Sequence, residues 1–312
     1  MPVALRELKD VMGKKKAFIV TDTQSYHSGR IAPVEKLLDE MNIQHTAFFA
    51  VNEDVSVLDA ASGAKAARLF EPDVIIAVGR GNVMNAAKLI RVLYEAPDED
   101  IADLSVRFGD IRKRGELFPR TNVKASLVTV PTASGMGEEV TPYASASYGD
   151  KTFVVADYEV MPEFVVIDSD FMIAQTREEI AESAKTALVH LFSAYCNENA
   201  TEYTDGFVLK AFENIAVYLP DYINCGQNDP EGCEKLAQAS AMSGIAYANT
   251  VFSVADAASV SDIADRIDKS ADNEYELTRY RELANAAGIF GSDDKDTVSK
   301  LAEKVRELTE LA

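Results

Sequence analysis

Along the first half of the chain, apolar residues switch back and forth between two spacings; in the second half they keep to one. Residues 16–20, Lys-Ala-Phe-Ile-Val, form a short β-rich run that stops at Thr21 and Asp22. From Arg30 to Met41, the apolar positions Ile31, Val34, Leu37, Leu38 and Met41 recur at helical spacing. The cycle then repeats: 46–51 reads as strand, 57–70 as helix, 74–78 as a strand entering Gly79-Arg80-Gly81, and 83–94 as helix. Further strands are expected at 126–130 and 164–167, with Pro119, Pro131, Pro142 and Pro162 punctuating an irregular stretch between them. From Thr176 onward the pattern is helical throughout, over 180–195, 208–219, 234–248, 272–288 and 294–311. Gly288 serves there as a helix stop, and Ser292-Asp293 as a start.

Strand and helix in alternation predict a parallel sheet covered on both faces. The expected fold class is therefore α/β, with an N-terminal Rossmann-like parallel-sheet domain over 1–170 followed by an all-helical domain over 171–312.

Composition narrows the partners. At 312 residues and 47% hydrophobic, the chain can bury substantial cores. Its 51 acidic against 31 basic side chains, a net charge of -20, oppose approach to nucleic acid or an acidic membrane surface. No apolar run reaches bilayer length, and Met1 leads into Arg6, Glu7, Lys9 and Asp10 rather than a signal peptide, so a cytoplasmic protein is expected. Cys196, Cys225 and Cys233 form no CxxC pair and read as free thiols.

Three features carry candidate chemistry. Gly79-Arg80-Gly81 ends a buried-type strand and opens a helix, where backbone amides and the helix dipole can receive a pyrophosphate; glycine needed only for the turn is the alternative. Asp22 ends the first strand, where a carboxylate can bond a ribose hydroxyl or simply cap the next helix. The third is the small-residue, turn-rich segment from Pro131 to Pro142, which lets a ligand approach the backbone closely.

The stretch 73–88, Asp-Val-Ile-Ile-Ala-Val-Gly-Arg-Gly-Asn-Val-Met-Asn-Ala-Ala-Lys, and the 131–142 loop resemble two signatures of iron-containing alcohol dehydrogenases. Residues 107–114, 156–159 and 202–210 resemble in particular the alcohol dehydrogenase half of bifunctional aldehyde–alcohol dehydrogenases. The resemblance implies an NAD groove lined by Asp22, Gly79, Gly81, Asn82, Asn85, Thr132 and Thr141. It also implies a divalent metal, iron or zinc, held in the helical domain by one carboxylate and three histidines. The substrate it implies is a small alcohol or aldehyde, and it suggests a homo-oligomer or association with a full-length aldehyde–alcohol dehydrogenase.

Several residues depart from the family pattern. Where the family has Gly-Gly-Gly-Ser and a later Asp, this chain has Arg80, Asn82 and Asn85; where it has Gly-Thr-Gly-Ser-Glu, Glu138 brings a new carboxylate toward the cofactor phosphates. A family lysine aligns with Thr152, beside Lys151. Thr186 stands at the metal carboxylate position, His190 matches one histidine, and others align with Asp256 and Val260. The last ligand belongs to a stretch of about a hundred residues, judged from typical domain sizes, that has no counterpart before similarity resumes near Tyr275. Two of the chain's three histidines, His27 and His45, lie in the first α/β unit. The expectation is an ancestrally NAD-dependent alcohol dehydrogenase that has lost its metal site and has weak or absent activity. The alternative is an inactive paralogue acting as a nucleotide-binding or protein-interaction subunit.

Overall fold

The structure is a computed structural model that describes residues 2–110, 116–134, 137–251 and 260–311. These residues form two compact units, one built from 2–132 and 138–171, the other from 172–251 and 260–311 with residues 133, 134 and 137.

The first unit contains α1 (Pro2–Asp10), β1 (Lys16–Asp22), α2 (Thr23–His27), α3 (Ala32–Glu40), β2 (Gln44–Val51), α4 (Val57–Phe70), β3 (Val74–Gly79), α5 (Gly81–Glu95) and α6 (Ile101–Arg107). It continues with β4 (Ser126–Pro131), β5 (Tyr143–Tyr148), β6 (Lys151–Ala156) and β7 (Phe164–Val165). Five strands make a wholly parallel sheet in the order β2-β1-β3-β4-β7. Every residue of β3 and β4 is buried, which is why these strands read as continuous apolar runs rather than as alternation. Two apolar clusters cover the two faces, one around Phe18, Ile75, Val83 and Leu127, the other around Ile19, Leu38, Ile76 and Val130.

Two details correct the sequence reading. Residues 143–156 form an antiparallel hairpin, β5–β6, turning at Gly149 with φ of 60°, inside the stretch expected to be irregular. The strand expected over 164–167 is only two residues long, pairing Phe164 and Val165 with Val128 and Thr129 at the sheet edge.

Helix α5 is buried nearly throughout, including the two cations Lys88 and Arg91. The Nζ of Lys88 lies within hydrogen-bonding distance of the carbonyl oxygens of Glu138 (2.6 Å), Thr141 (2.8 Å) and Tyr143 (2.8 Å). One turn on, Arg91 clamps the Glu163 carboxylate at 2.5 and 2.7 Å and donates to the carbonyls of Glu159 (2.6 Å) and Met161 (2.8 Å). One helix thus holds both segments that flank the hairpin, through charge-assisted bonds in a site of low dielectric.

After α7 (Ser169–Met172), the second unit is built from α8 (Arg177–Tyr195), α9 (Glu202–Cys225), α10 (Pro230–Ala248), α11 (Val260–Lys269), α12 (Glu274–Ala286) and α13 (Asp294–Leu311), around one core that includes Leu188, Phe212, Leu236, Leu283 and Leu301. Capping boxes start α4 at Ser56 with Asp59 and α8 at Thr176 with Glu179. The start of α8 thus lies one turn before its first apolar position.

Replacing Arg91 with methionine keeps an unbranched side chain but removes the cation facing the Glu163 carboxylate, which retains the Leu127 amide, and the donor to the carbonyls of Glu159 and Met161. The variant is expected to lose about 3–5 kcal/mol in urea denaturation, the usual cost of removing one partner of a buried ion pair. An unchanged midpoint would refute this role.

Candidate functional site

In the sheet order, β1 has β2 on one side and β3 on the other, so the crossover direction reverses between β1 and β3. Open α/β sheets bind ligands in the crevice outside the carboxyl ends of the strands at such a switch point. Here those ends carry Asp22, the turn Gly79-Arg80-Gly81 and, directly after β4, Thr132. The amide of Thr132 donates to the Gly79 oxygen at 2.9 Å, tying the β4 end to the turn. Its hydroxyl is buried and finds no partner among the described residues, and the Oδ1 of Asn82 is in the same position. Buried polar atoms left without a partner are the kind a ligand or ordered water satisfies.

The remaining candidates are engaged within the fold. Asp22 caps α2, its two oxygens accepting from the Ser25 amide (2.7 Å) and hydroxyl (2.8 Å). Arg80 forms an ion pair with Glu53 at 3.6 Å. Asn82 donates to the Asn52 oxygen at 3.0 Å, while Asn85 accepts from the Ser145 amide at 3.3 Å, bracing β5. The Thr141 hydroxyl lies 3.2 Å from the Lys88 Nζ. The structure therefore brings Gly79, Gly81 and Thr132 together at the carboxyl ends of β3 and β4, with Asn82 following on α5, whereas Asn85 and Thr141 serve the segment folded over α5.

Two residues give this crevice its electrostatics. A Cβ built on Gly81 would stand 2.9 Å from the carboxyl carbon of Glu138 and 3.0 and 3.1 Å from its oxygens, so the carboxylate fills the space beside this glycine. Beneath it, burial pulls the Lys88 amine down from 10.5 to about 7, opposed by the negative charges of Glu138 and Glu139. Lys88 is a functional residue that motif matching alone does not single out. Its signal in the sequence is a lysine inside the apolar 83–94 pattern, at a position facing the core rather than solvent.

The helical unit contains the second candidate, His190 on α8. Its ring lies 4.4 Å from the Tyr247 ring at a tilt of 35°, and its Nδ1 is buried without a partner among the described residues. Gly137, at φ of 71°, passes so close that a Cβ on it would lie 3.2 Å from that nitrogen and 2.9 Å from the Gly244 Cα. Removal from water pushes the imidazole down from 6.5 to about 4, leaving it neutral. The Thr186 hydroxyl, one turn earlier, donates to the Glu182 carbonyl at 3.1 Å in its own helix. Asp256 lies outside the described residues, as do Gly135 and Met136 of the loop and 111–114 of the quoted match. Among the described residues, no group of three or more His, Cys, Asp or Glu is placed to hold a metal ion.

Residues 2–169 match the family model described as iron-containing alcohol dehydrogenase, and residues 180–259 match the Fe-containing alcohol dehydrogenase family, C-terminal model. The chain is 33% identical over 336 aligned positions to an aldehyde-alcohol dehydrogenase of Clostridium acetobutylicum, a match covering 98% of this chain but only 39% of that protein. Among solved structures, it is similar to an iron-containing alcohol dehydrogenase from Thermococcus thioreducens, with TM-score 0.82 and 23% identity, covering 100% of this chain and 84% of that one. It is also similar to a sulfoacetaldehyde reductase from Bifidobacterium kashiwanohense in complex with NAD+, with TM-score 0.82 and 18% identity, covering 99% and 81%.

His190 titrates near 4 when folded and at 6.5 when free, so between these values the unfolded chain binds more protons. Its contribution to stability is present above pH 6.5 and is lost as pH falls toward 4. Melting temperatures of the chain should therefore fall more steeply across this window than those of His190→Gln; equal slopes would show that the imidazole is not desolvated.

Proposed function

The chain belongs to the iron-containing alcohol dehydrogenase family, and from that premise we propose that it binds a nicotinamide dinucleotide weakly and no longer carries out metal-assisted alcohol oxidation. The observation that carries this reading is the distribution of histidines: three in the whole sequence, with His27 and His45 in the sheet unit. His45 pairs there with Asp39 at 3.1 Å. One imidazole on α8, with a threonine in place of the carboxylate one turn earlier, does not fit a divalent site of one carboxylate and three histidines.

The chemical consequence follows from acidity. A divalent ion polarises the alcohol oxygen so that its proton leaves near neutral pH, whereas an unassisted hydroxyl stays near the value for water, about 15.7. A neutral imidazole with a pKa near 4 is a weak base and does not replace that effect.

Retention of the dinucleotide is supported by the switch-point crevice, the glycine turn at the start of α5 and the partnerless hydroxyl of Thr132. It is supported also by likeness in fold to the reductase solved with NAD+. Weak affinity is proposed because a carboxylate lies against the turn, and like charges about 4 Å apart at a protein surface cost about 4 kcal/mol before screening.

The test is a calorimetric titration with NADH, paired with a primary-alcohol oxidation assay, each with and without Fe²⁺ or Zn²⁺. Weak binding with no turnover above background under any condition is expected. Metal-dependent turnover would contradict the reading, and absence of NADH binding would remove the cofactor from it.

A further inference from the structure

A phosphate-binding turn works because the first amides of its helix are free and the helix dipole favours an anion there. Helix α5 has this form: its N-terminal boundary residue, Arg80, provides no side-chain cap bond, and its first turn contains no acidic residue. Yet an anion is already present. The carboxylate of Glu138 packs against Gly81, the first residue of the helix, within 3.0–3.1 Å of where a side chain would begin. It is held in place by its own backbone, whose carbonyl accepts from the buried Lys88 at 2.6 Å. The neighbouring Thr132 hydroxyl, on the residue bonded to the Gly79 oxygen, meanwhile has no partner among the described residues.

We propose that Glu138 determines which ligands this turn accepts. Its carboxylate is the anion that α5 receives at rest, and the pyrophosphate of a dinucleotide enters only by displacing it. This rests on the dinucleotide reading above. It has a specific corollary: anionic nucleotides compete with Glu138, whereas an uncharged nucleoside does not.

Affinities for ADP and for adenosine should be measured on the wild-type chain, Glu138→Gln and Glu138→Ala by calorimetry at fixed ionic strength, with circular dichroism to confirm folding. The glutamine variant keeps the shape packed on Gly81 and removes only the charge; the alanine variant also opens the space. Both should bind ADP roughly tenfold more tightly or better, in line with loss of a like charge at close range, while adenosine affinity stays unchanged. Equal ADP affinity in all three proteins would overturn the proposal while leaving the dinucleotide reading in place. Equal gains for ADP and adenosine would also overturn it, since loosening of the loop, not charge, would then be the cause. Lowered melting temperatures without tighter ADP binding would reduce Glu138 to a structural cap and likewise overturn it. Failure of all three proteins to bind either ligand would overturn both the proposal and the dinucleotide reading.

Discussion

Two cations buried on one helix organise the sheet unit. Lys88 gathers the carbonyls of Glu138, Thr141 and Tyr143, and Arg91 gathers the Glu163 carboxylate and the carbonyls of Glu159 and Met161. A charge in the interior is tolerated only where such acceptors surround it, so the positions of these segments and the burial of α5 depend on each other. The same arrangement explains why Glu138 lies where it does: the carbonyl that ties it to Lys88 also sets its side chain against Gly81.

Much of this fold was legible in the sequence because its elements are driven by apolar periodicity. The fully buried runs 74–78 and 126–130 became β3 and β4, and the helical spacing of the second half became the bundle. The hairpin was obscured because prolines at 131, 142 and 162 frame it, although Gly149-Asp150 between the alternating runs 143–148 and 151–156 is a turn signal. The site was less legible. Asp22 satisfies both oxygens within its own turn, and Asn85 and Thr141 brace a segment, roles set by contacts distant in sequence. The importance of Lys88 depends on the folding of residues 138–143 over α5, fifty and more positions away.

The two candidate centres have diverged to different degrees. At the sheet, where dinucleotide binding is proposed, the glycine turn and the switch point are present, and the departure from the family pattern is one of charge, at Glu138. In the helical unit the proposed change is in the donors themselves, since among the described residues a threonine bonded to its own helix and a neutral histidine offer a divalent ion little. A change of charge weakens binding by degrees, whereas loss of the donor set removes a chemical step. Family membership and the proposed loss of alcohol oxidation are therefore compatible.

Metal stoichiometry tests this account most directly. The full chain would be equilibrated with excess Fe²⁺ or Zn²⁺, desalted, and analysed by inductively coupled plasma mass spectrometry alongside His190→Ala. The account predicts far less than one ion per chain, with no difference between the two proteins. One ion per chain retained through desalting, and lost in the variant, would contradict it.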